Sequence, residues 1–147
     1  KANIVVVNSK SLAQGYSALT MLDVSSGDSE QILEEINDVI KNVTTGLVTY
    51  SIRDAELDGI SIHKDDYIGI CNSKMVSSEK TKADALKVML EKTDLSEKEI
   101  VTIIYGADVT EEEVEEIREY IESTYEDLEV DVIEGKQEVY SYILSIE

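Results

Sequence analysis

The 147 residues carry 32 acidic and 13 basic side chains, a formal net charge of -19, with 42% hydrophobic and 31% charged residues. That balance excludes a disordered chain, and the shortage of Lys and Arg excludes both a nucleic-acid binder that neutralises phosphates and electrostatic docking on an anionic membrane. No stretch approaches the roughly 18 uninterrupted apolar residues of a membrane span, and without Trp or Phe the core has to come from Ile, Val, Leu and eight Tyr.

The opening run Asn3 to Asn8 is short, β-branched and apolar, as a buried strand would be, and it lacks the shape of a signal peptide. From Ser11 to Leu22 the residues Leu12, Ala13, Ala18, Leu19 and Leu22 predict a helix whose first turn Gly15 weakens. Asp28 or Ser29 caps a second, amphipathic helix to about Asn42, with Ile32, Leu33, Ile36, Val39 and Ile40 at helical spacing. The period then switches. Leu47 to Ile52 reads as a strand, Asp58-Gly59 as a tight turn and Ile60 to Ile62 as the return strand. Tyr67 to Cys71 and Lys74 to Val76 form a further hairpin across Asn72-Ser73, giving an antiparallel meander. Ser78 caps a third helix from Glu79 to about Thr93. Ile100 to Tyr105 is a buried strand ended by Gly106, and Thr110 with Glu113 makes a capping box for a fourth helix with the stripe Val114, Ile117, Ile121 and Tyr125. Strands at Glu129 to Ile133 and Val139 to Ile146 complete a βαβ unit and the chain.

This order predicts an α/β (α+β) fold: one mixed β-sheet, with an antiparallel meander and a βαβ unit, covered by about four helices. Residues 1–147 read as a single domain without a low-complexity linker. The first residue is Lys rather than Met, so a fragment of a larger multidomain protein is expected. Cys71 is the single cysteine and cannot form an internal disulfide, which points to a reducing cytoplasm.

Few side chains are spaced for chemistry. Asp54-Ala55-Glu56-Leu57-Asp58-Gly59, with Asp65 at the last loop position, nearly meets the calcium-loop pattern, although Glu56 replaces Asp or Asn and the flanks are strands. A solvated acidic hairpin tip explains the same residues. His63, the only histidine, has no nucleophile at a telling spacing, and structural zinc would need more Cys and His. Asn8-Ser9-Lys10-Ser11 lacks the glycines of a phosphate loop; N-capping by Ser9 or Ser11 competes with a weak anion site. Glu111, Glu112, Glu113, Glu115, Glu116 and Glu119 form a solvated helix face or a steering surface for a basic partner. Tyr140 and Tyr142 alternate with Val139, Ser141 and Ile143, which divides this strand between core and interface. These residues contain no self-contained active site.

Several stretches are similar to a known family. They are Ser11-Leu12-Ala13-Gln14-Gly15-Tyr16-Ser17-Ala18-Leu19, Thr49-Tyr50-Ser51-Ile52-Arg53-Asp54 with Asp58-Gly59, Asp66-Tyr67-Ile68-Gly69-Ile70, Tyr105-Gly106-Ala107-Asp108, and Gly135-Lys136-Gln137-Glu138-Val139-Tyr140-Ser141-Tyr142. In this order they resemble the C-terminal region of the catalytic subunit of bacterial fatty-acid kinase, whose family is also called dihydroxyacetone-kinase-like or DAK phosphatase. The resemblance implies a DegV-like C-terminal domain in a cytoplasmic protein of lipid metabolism. ATP and Mg²⁺ would belong to an N-terminal kinase domain, with no cofactor in this segment. The implied partner is a DegV-family fatty-acid-binding protein, whose bound acyl carboxylate is phosphorylated. The family's Gly-Gly-Gln-Thr-Met-Asn-Pro and Leu-Pro-Asn-Asn stretches are missing, so the match is to the second half of the module. Asp65 also stands where many relatives have Gly. No catalytic residue of the family maps onto this chain.

The expected function is therefore a non-catalytic partner-recognition domain of a kinase. Its contact residues would lie on the polar rim of the meander: Arg53, Asp54, Asp58, His63, Lys64 and Asp66. Arg53 either grips a partner carboxylate or ties Asp54 or Asp58 across the hairpin. Two alternatives stand beside this reading: a metal- or small-ligand-binding domain using the acidic 54–65 loop, and a dimerisation module acting as a homodimer through the parent protein.

Overall fold

The computed structural model describes residues 4–147. They fall into two compact units, a smaller one ending at Val43 and a larger one running from Thr44 to Glu147.

The N-terminal unit holds two helices, α1 (Leu12–Thr20) and α2 (Ser29–Asn42). Each starts where a short polar side chain satisfies an otherwise orphaned backbone N–H. The Ser11 hydroxyl accepts from Gln14 N at 3.1 Å, and Asp28 Oδ1 accepts from Glu30 N at 2.9 Å. Gln14 Nε2 donates to Ile40 O at 3.3 Å and ties α1 to the last turn of α2. Between the helices Ala18, Ile36 and Ile40 make a small core, with Val7 and Ile32 against it. The strand expected over residues 3–8 does not form in residues 4–8, and Asn3 lies outside the described residues. A β-branched run becomes a strand only beside another strand, and no described residue pairs with it.

The larger unit is built on a six-stranded mixed sheet in the order β5-β4-β1-β8-β6-β7. Its strands are β1 (Thr44–Tyr50), β4 (Tyr67–Cys71), β5 (Lys74–Glu79), β6 (Ile100–Tyr105), β7 (Glu129–Glu134) and β8 (Tyr140–Ile146). Only β6 and β7 run parallel, joined through α4 (Glu111–Thr124) as the expected βαβ unit. All other neighbours are antiparallel. The segments β2 (Ala55–Leu57) and β3 (Ile60–Ile62) form a separate two-stranded sheet. This corrects the expected meander at one point: the return strand for β1 is β4, and the Asp58-Gly59 hairpin is an excursion between them.

The helix α3 (Lys82–Glu91) lies over β4, β5 and β1, while α4 packs on β7. One hydrophobic core joins them, with Leu86, Met89, Leu90, Val114, Ile117, Ile121 and Leu144 all but sealed from solvent. Two missing side chains let α3 sit close: a Cβ on Gly46 would come 2.7 Å from Met89 Cε, and one on Gly69 would come 3.0 Å from Ala85 O. The cap of α3 is Thr81, not Ser78. Ser78 and Glu79 are held in β5 by their pairing with Ile68 and Tyr67, so the helix starts later. The capping box of α4 is present as expected: Thr110 Oγ1 accepts from Glu113 N at 3.2 Å and Glu113 Oε2 accepts from Thr110 N at 2.9 Å. No described helix is long and apolar enough to cross a membrane.

Candidate functional site

The β2–β3 hairpin leaves the main sheet through a narrow neck. At Ser51 the chain turns away from β1, and the Ser51 hydroxyl donates to Arg53 O at 2.6 Å. On the returning side Ser51 N donates to Asp66 O at 2.7 Å and Asp65 N donates to Ser51 O at 2.8 Å. These two bonds close the loop at its base. Its tip is the Asp58-Gly59 turn, with φ of 53° and 77°. Two positive φ angles in succession match the twist of a tight hairpin, which is why Asp-Gly is favoured there. Carboxylates then fasten the excursion: Asp58 Oδ2 accepts from Met75 N at 2.9 Å, and Asp54 Oδ1 accepts from Lys64 N at 2.7 Å. Ile62 is buried, and β3 packs against β5.

Asp66 is the centre of the neck. Its side chain is only 6% exposed, while the Lys80 ammonium that meets its Oδ1 at 2.5 Å belongs to a side chain 78% exposed. Its other oxygen accepts from His63 N at 3.2 Å and Ser78 Oγ at 3.4 Å. The Lys80 hydrogen bond holds this carboxyl below the usual aspartate value despite the opposing effect of burial. Asp66 is therefore ionised and fully engaged in the loop's own structure.

The six expected rim residues thus divide into two groups. Arg53, His63 and Lys64 are exposed, and among the described residues no ion pair joins Arg53 to Asp54 or Asp58. Asp54, Asp58 and Asp66 each accept from a backbone N–H and so shape the hairpin. Three apolar side chains of the same stretch that sequence reasoning missed, Tyr50, Ile52 and Leu57, are all more than half exposed, and the acidic Asp54, Glu56, Asp58 and Asp65 are exposed there too. Ile52 reads as the end of a strand, but the turn at Ser51 throws it into solvent. A large aliphatic residue just beyond a Ser that folds back on its own backbone is the signal that would have found it.

The competing constellations do not assemble. Among the described residues no three His, Cys, Asp or Glu side chains lie close enough to hold a metal ion, so Asp54, Asp58 and Asp65 do not form a calcium loop. Cys71 is half-buried, with Thr93 Oγ1 at 3.5 Å from its sulfur, and no hydrogen bond joins it to His63. Ser11 spends its hydroxyl as a cap. In the acidic run, Glu113 pairs with Lys82 at 3.1 Å and Glu115 lies 3.9 Å from Arg118, while Glu111, Glu112, Glu116 and Glu119 are exposed. Burial raises the Glu113 pKa, yet Thr110 N–H and Lys82 together bring it below the usual value. Tyr142 is fully buried and Tyr140 half-buried, so this strand serves the core.

Comparison with known proteins gives the family. The FakA-like C-terminal family, which describes the C-terminal part of the fatty acid kinase protein FakA and its like, matches residues 1–147. Protein YloV of Bacillus subtilis strain 168 is 37% identical over 146 residues, covering 98% of this chain and 26% of the relative. An uncharacterized protein of Staphylococcus epidermidis is 37% identical over 147 residues, covering 100% of this chain and 26% of the relative. Another, of Staphylococcus aureus strain USA300, is 36% identical over 146 residues, covering 99% and 26%. The chain spans about a quarter of the length of these relatives. It belongs to the FakA-like C-terminal family of fatty acid kinase.

Proposed function

We propose that, as a member of that family, this chain is the non-catalytic partner-recognition domain of the catalytic subunit of a fatty-acid kinase. On this reading the partner is a DegV-family protein holding a fatty acid, whose carboxylate is phosphorylated by a kinase domain elsewhere in the parent polypeptide. ATP and Mg²⁺ belong to that kinase domain. A DegV-like fold and a cytoplasmic setting are part of the same proposal. Docking raises the effective concentration of the acyl carboxylate at the kinase site and replaces a chance encounter by a positioned one.

The observation that carries the reading is the composition of the hairpin rim. In a chain of net charge -19, Arg53, His63 and Lys64 stand exposed together. Tyr50, Ile52 and Leu57 are exposed in the same stretch of chain. Exposed aromatic and aliphatic side chains in one stretch with an Arg that has no ion pair among the described residues are the composition from which binding energy is drawn at protein interfaces. Arg53 supplies a fork for a partner carboxylate, and Asp54, Asp58 and Asp66 hold the loop in place around it.

The test is a charge reversal, Arg53→Glu with Lys64→Glu, in the full-length kinase polypeptide. Calorimetric affinity for the lipid-loaded partner is expected to fall by about tenfold or more, with ATP binding by the kinase domain unchanged. An unchanged partner affinity would overturn the reading.

A further inference from the structure

The N-terminal unit carries an open apolar groove of about 570 Å³, lined among others by Val5, Val7, Ala18, Leu22, Ile32 and Ile36. Its rim is apolar too: Leu19 is 74% exposed and Val24 64%. Along one side runs the segment 4–8. Its side chains alternate as in a β-strand, Val5 and Val7 half-buried towards the groove and Ile4 and Val6 86% and 79% exposed. No backbone group of residues 4–8 has a hydrogen-bond partner among the described residues. The segment thus has the side-chain pattern of a strand buried on both faces and the open edges of a strand without neighbours.

We propose that residues 4–8 form one strand of a sheet completed by another part of a longer polypeptide, and that this sheet covers the groove. Three observations choose this occupant. Anything that covers the segment must satisfy its N–H and C=O groups, which a strand does and an apolar small molecule does not. A second copy would bring another -19 charge against the first. The relatives have the length to supply the missing layer, since this chain spans 26% of each. The proposal is independent of the hairpin rim and of what docks there.

Hydrogen exchange read by mass spectrometry on the full-length polypeptide tests it. The amides of residues 5–7 are expected to exchange about a hundredfold or more slowly than in an unstructured peptide, and equally slowly after tenfold dilution. Exchange at the unstructured rate would overturn the proposal. Protection lost on dilution would overturn it in favour of a second copy. Protection that requires an added fatty acid or partner protein would overturn it in favour of that ligand. As a second measurement, Val6→Pro in the full-length polypeptide removes one strand donor and is expected to lower the Tm by several degrees; an unchanged Tm would count equally against the proposal.

Discussion

Replacing Gly69 by Ala tests how closely α3 rests on the sheet. The added Cβ would lie 2.2 Å from Ser77 Oγ, 3.0 Å from Ala85 O and 3.0 Å from Met89 Cβ. Two of these neighbours are fixed, one being helix backbone and the other the root of a sealed core side chain. Relief requires α3 to lift from β4 at a cost of about 1–3 kcal/mol for overpacking. The Ser77 hydroxyl must also give up the bond it donates to Ala85 O at 2.8 Å, leaving a buried donor at a cost of about 1–3 kcal/mol. The lost flexibility of Gly in the unfolded chain returns only about 0.4–1 kcal/mol. The expected net destabilisation is about 3 kcal/mol, a Tm lower by roughly 6–12 °C for a domain of this size. Gly46→Ala is the internal control. There the closest approach is to the flexible end of Met89, Cε at 2.7 Å and Sδ at 3.3 Å, which can move aside, and the one fixed neighbour, Leu144 Cβ, stands at 3.2 Å. Its expected cost is below about 1.5 kcal/mol. Urea unfolding of both variants, compared at equal m-values, gives the two numbers. A Gly69→Ala protein within about 0.5 kcal/mol of the parent, or one more stable than Gly46→Ala, would refute this account of the packing.

Two further outcomes follow from charge and burial. Asp66, whose carboxyl is held below its ordinary value of 3.8 chiefly by Lys80, contributes stability that is complete above the unfolded-chain pKa and is lost as pH falls through the lower folded value. The stability gap between the parent and Asp66→Asn should therefore be constant from pH 7 to 5 and close as the pH drops well below 4, in denaturant titrations at each pH; a gap independent of pH would contradict the ion pair. Tyr142 buries its hydroxyl with no hydrogen-bond partner among the described residues, and burial, then Glu113 and Asp108, push its pKa far up. Tyr142→Phe keeps the ring and removes the unpaired oxygen, so thermal unfolding should show equal or higher stability; a loss above about 1 kcal/mol would mean that the hydroxyl is bonded.

What the sequence revealed followed the range of the forces involved. The cap at Thr110 with Glu113, the stripe of α4 and the strand Ile100–Tyr105 depend on neighbours a few residues away, and all formed as read. The Asn72-Ser73 hairpin is equally local. The cap of α3 was also legible by the stricter rule, because Thr81 has an acidic residue three positions on, in Asp84, and Ser78 does not. Strand partnership is a different matter. That Thr49 faces Ile68 on one side and Tyr140 on the other is decided across 19 to 91 positions of chain, and no local pattern encodes it. The same reason hid the exposure of Ile52, which depends on Ser51 bonding to Asp65 and Asp66. Of the six rim residues, the charges were readable but their directions were not: Asp66 turns inward because Lys80, Ser78 and His63 N–H meet there.

A two-stranded hairpin alone is marginal in water, so β2–β3 needs its anchors to the larger sheet. They come from acidic residues: Asp58 on Met75 N, Asp66 on Ser78 and Lys80, with Ser51 closing the base. Part of the chain's negative charge is thereby engaged in fixing a loop on whose exposed surface Arg53, His63 and Lys64 stand among Asp54, Glu56, Asp58 and Asp65. On the proposed docking, a loop ordered before contact forfeits little entropy, so Tyr50, Ile52, Leu57 and Arg53 contribute close to their full contact energy. The charge arrangement also sets the salt dependence for an acidic partner patch. Beyond the Debye length the net -19 repels, whereas on the proposed docking Arg53 and Lys64 attract at contact. Adding salt from low concentration should therefore raise the association rate while shortening the complex's lifetime. A rate of association that falls steeply with salt would instead belong to a surface whose long-range field and contact charges agree in sign.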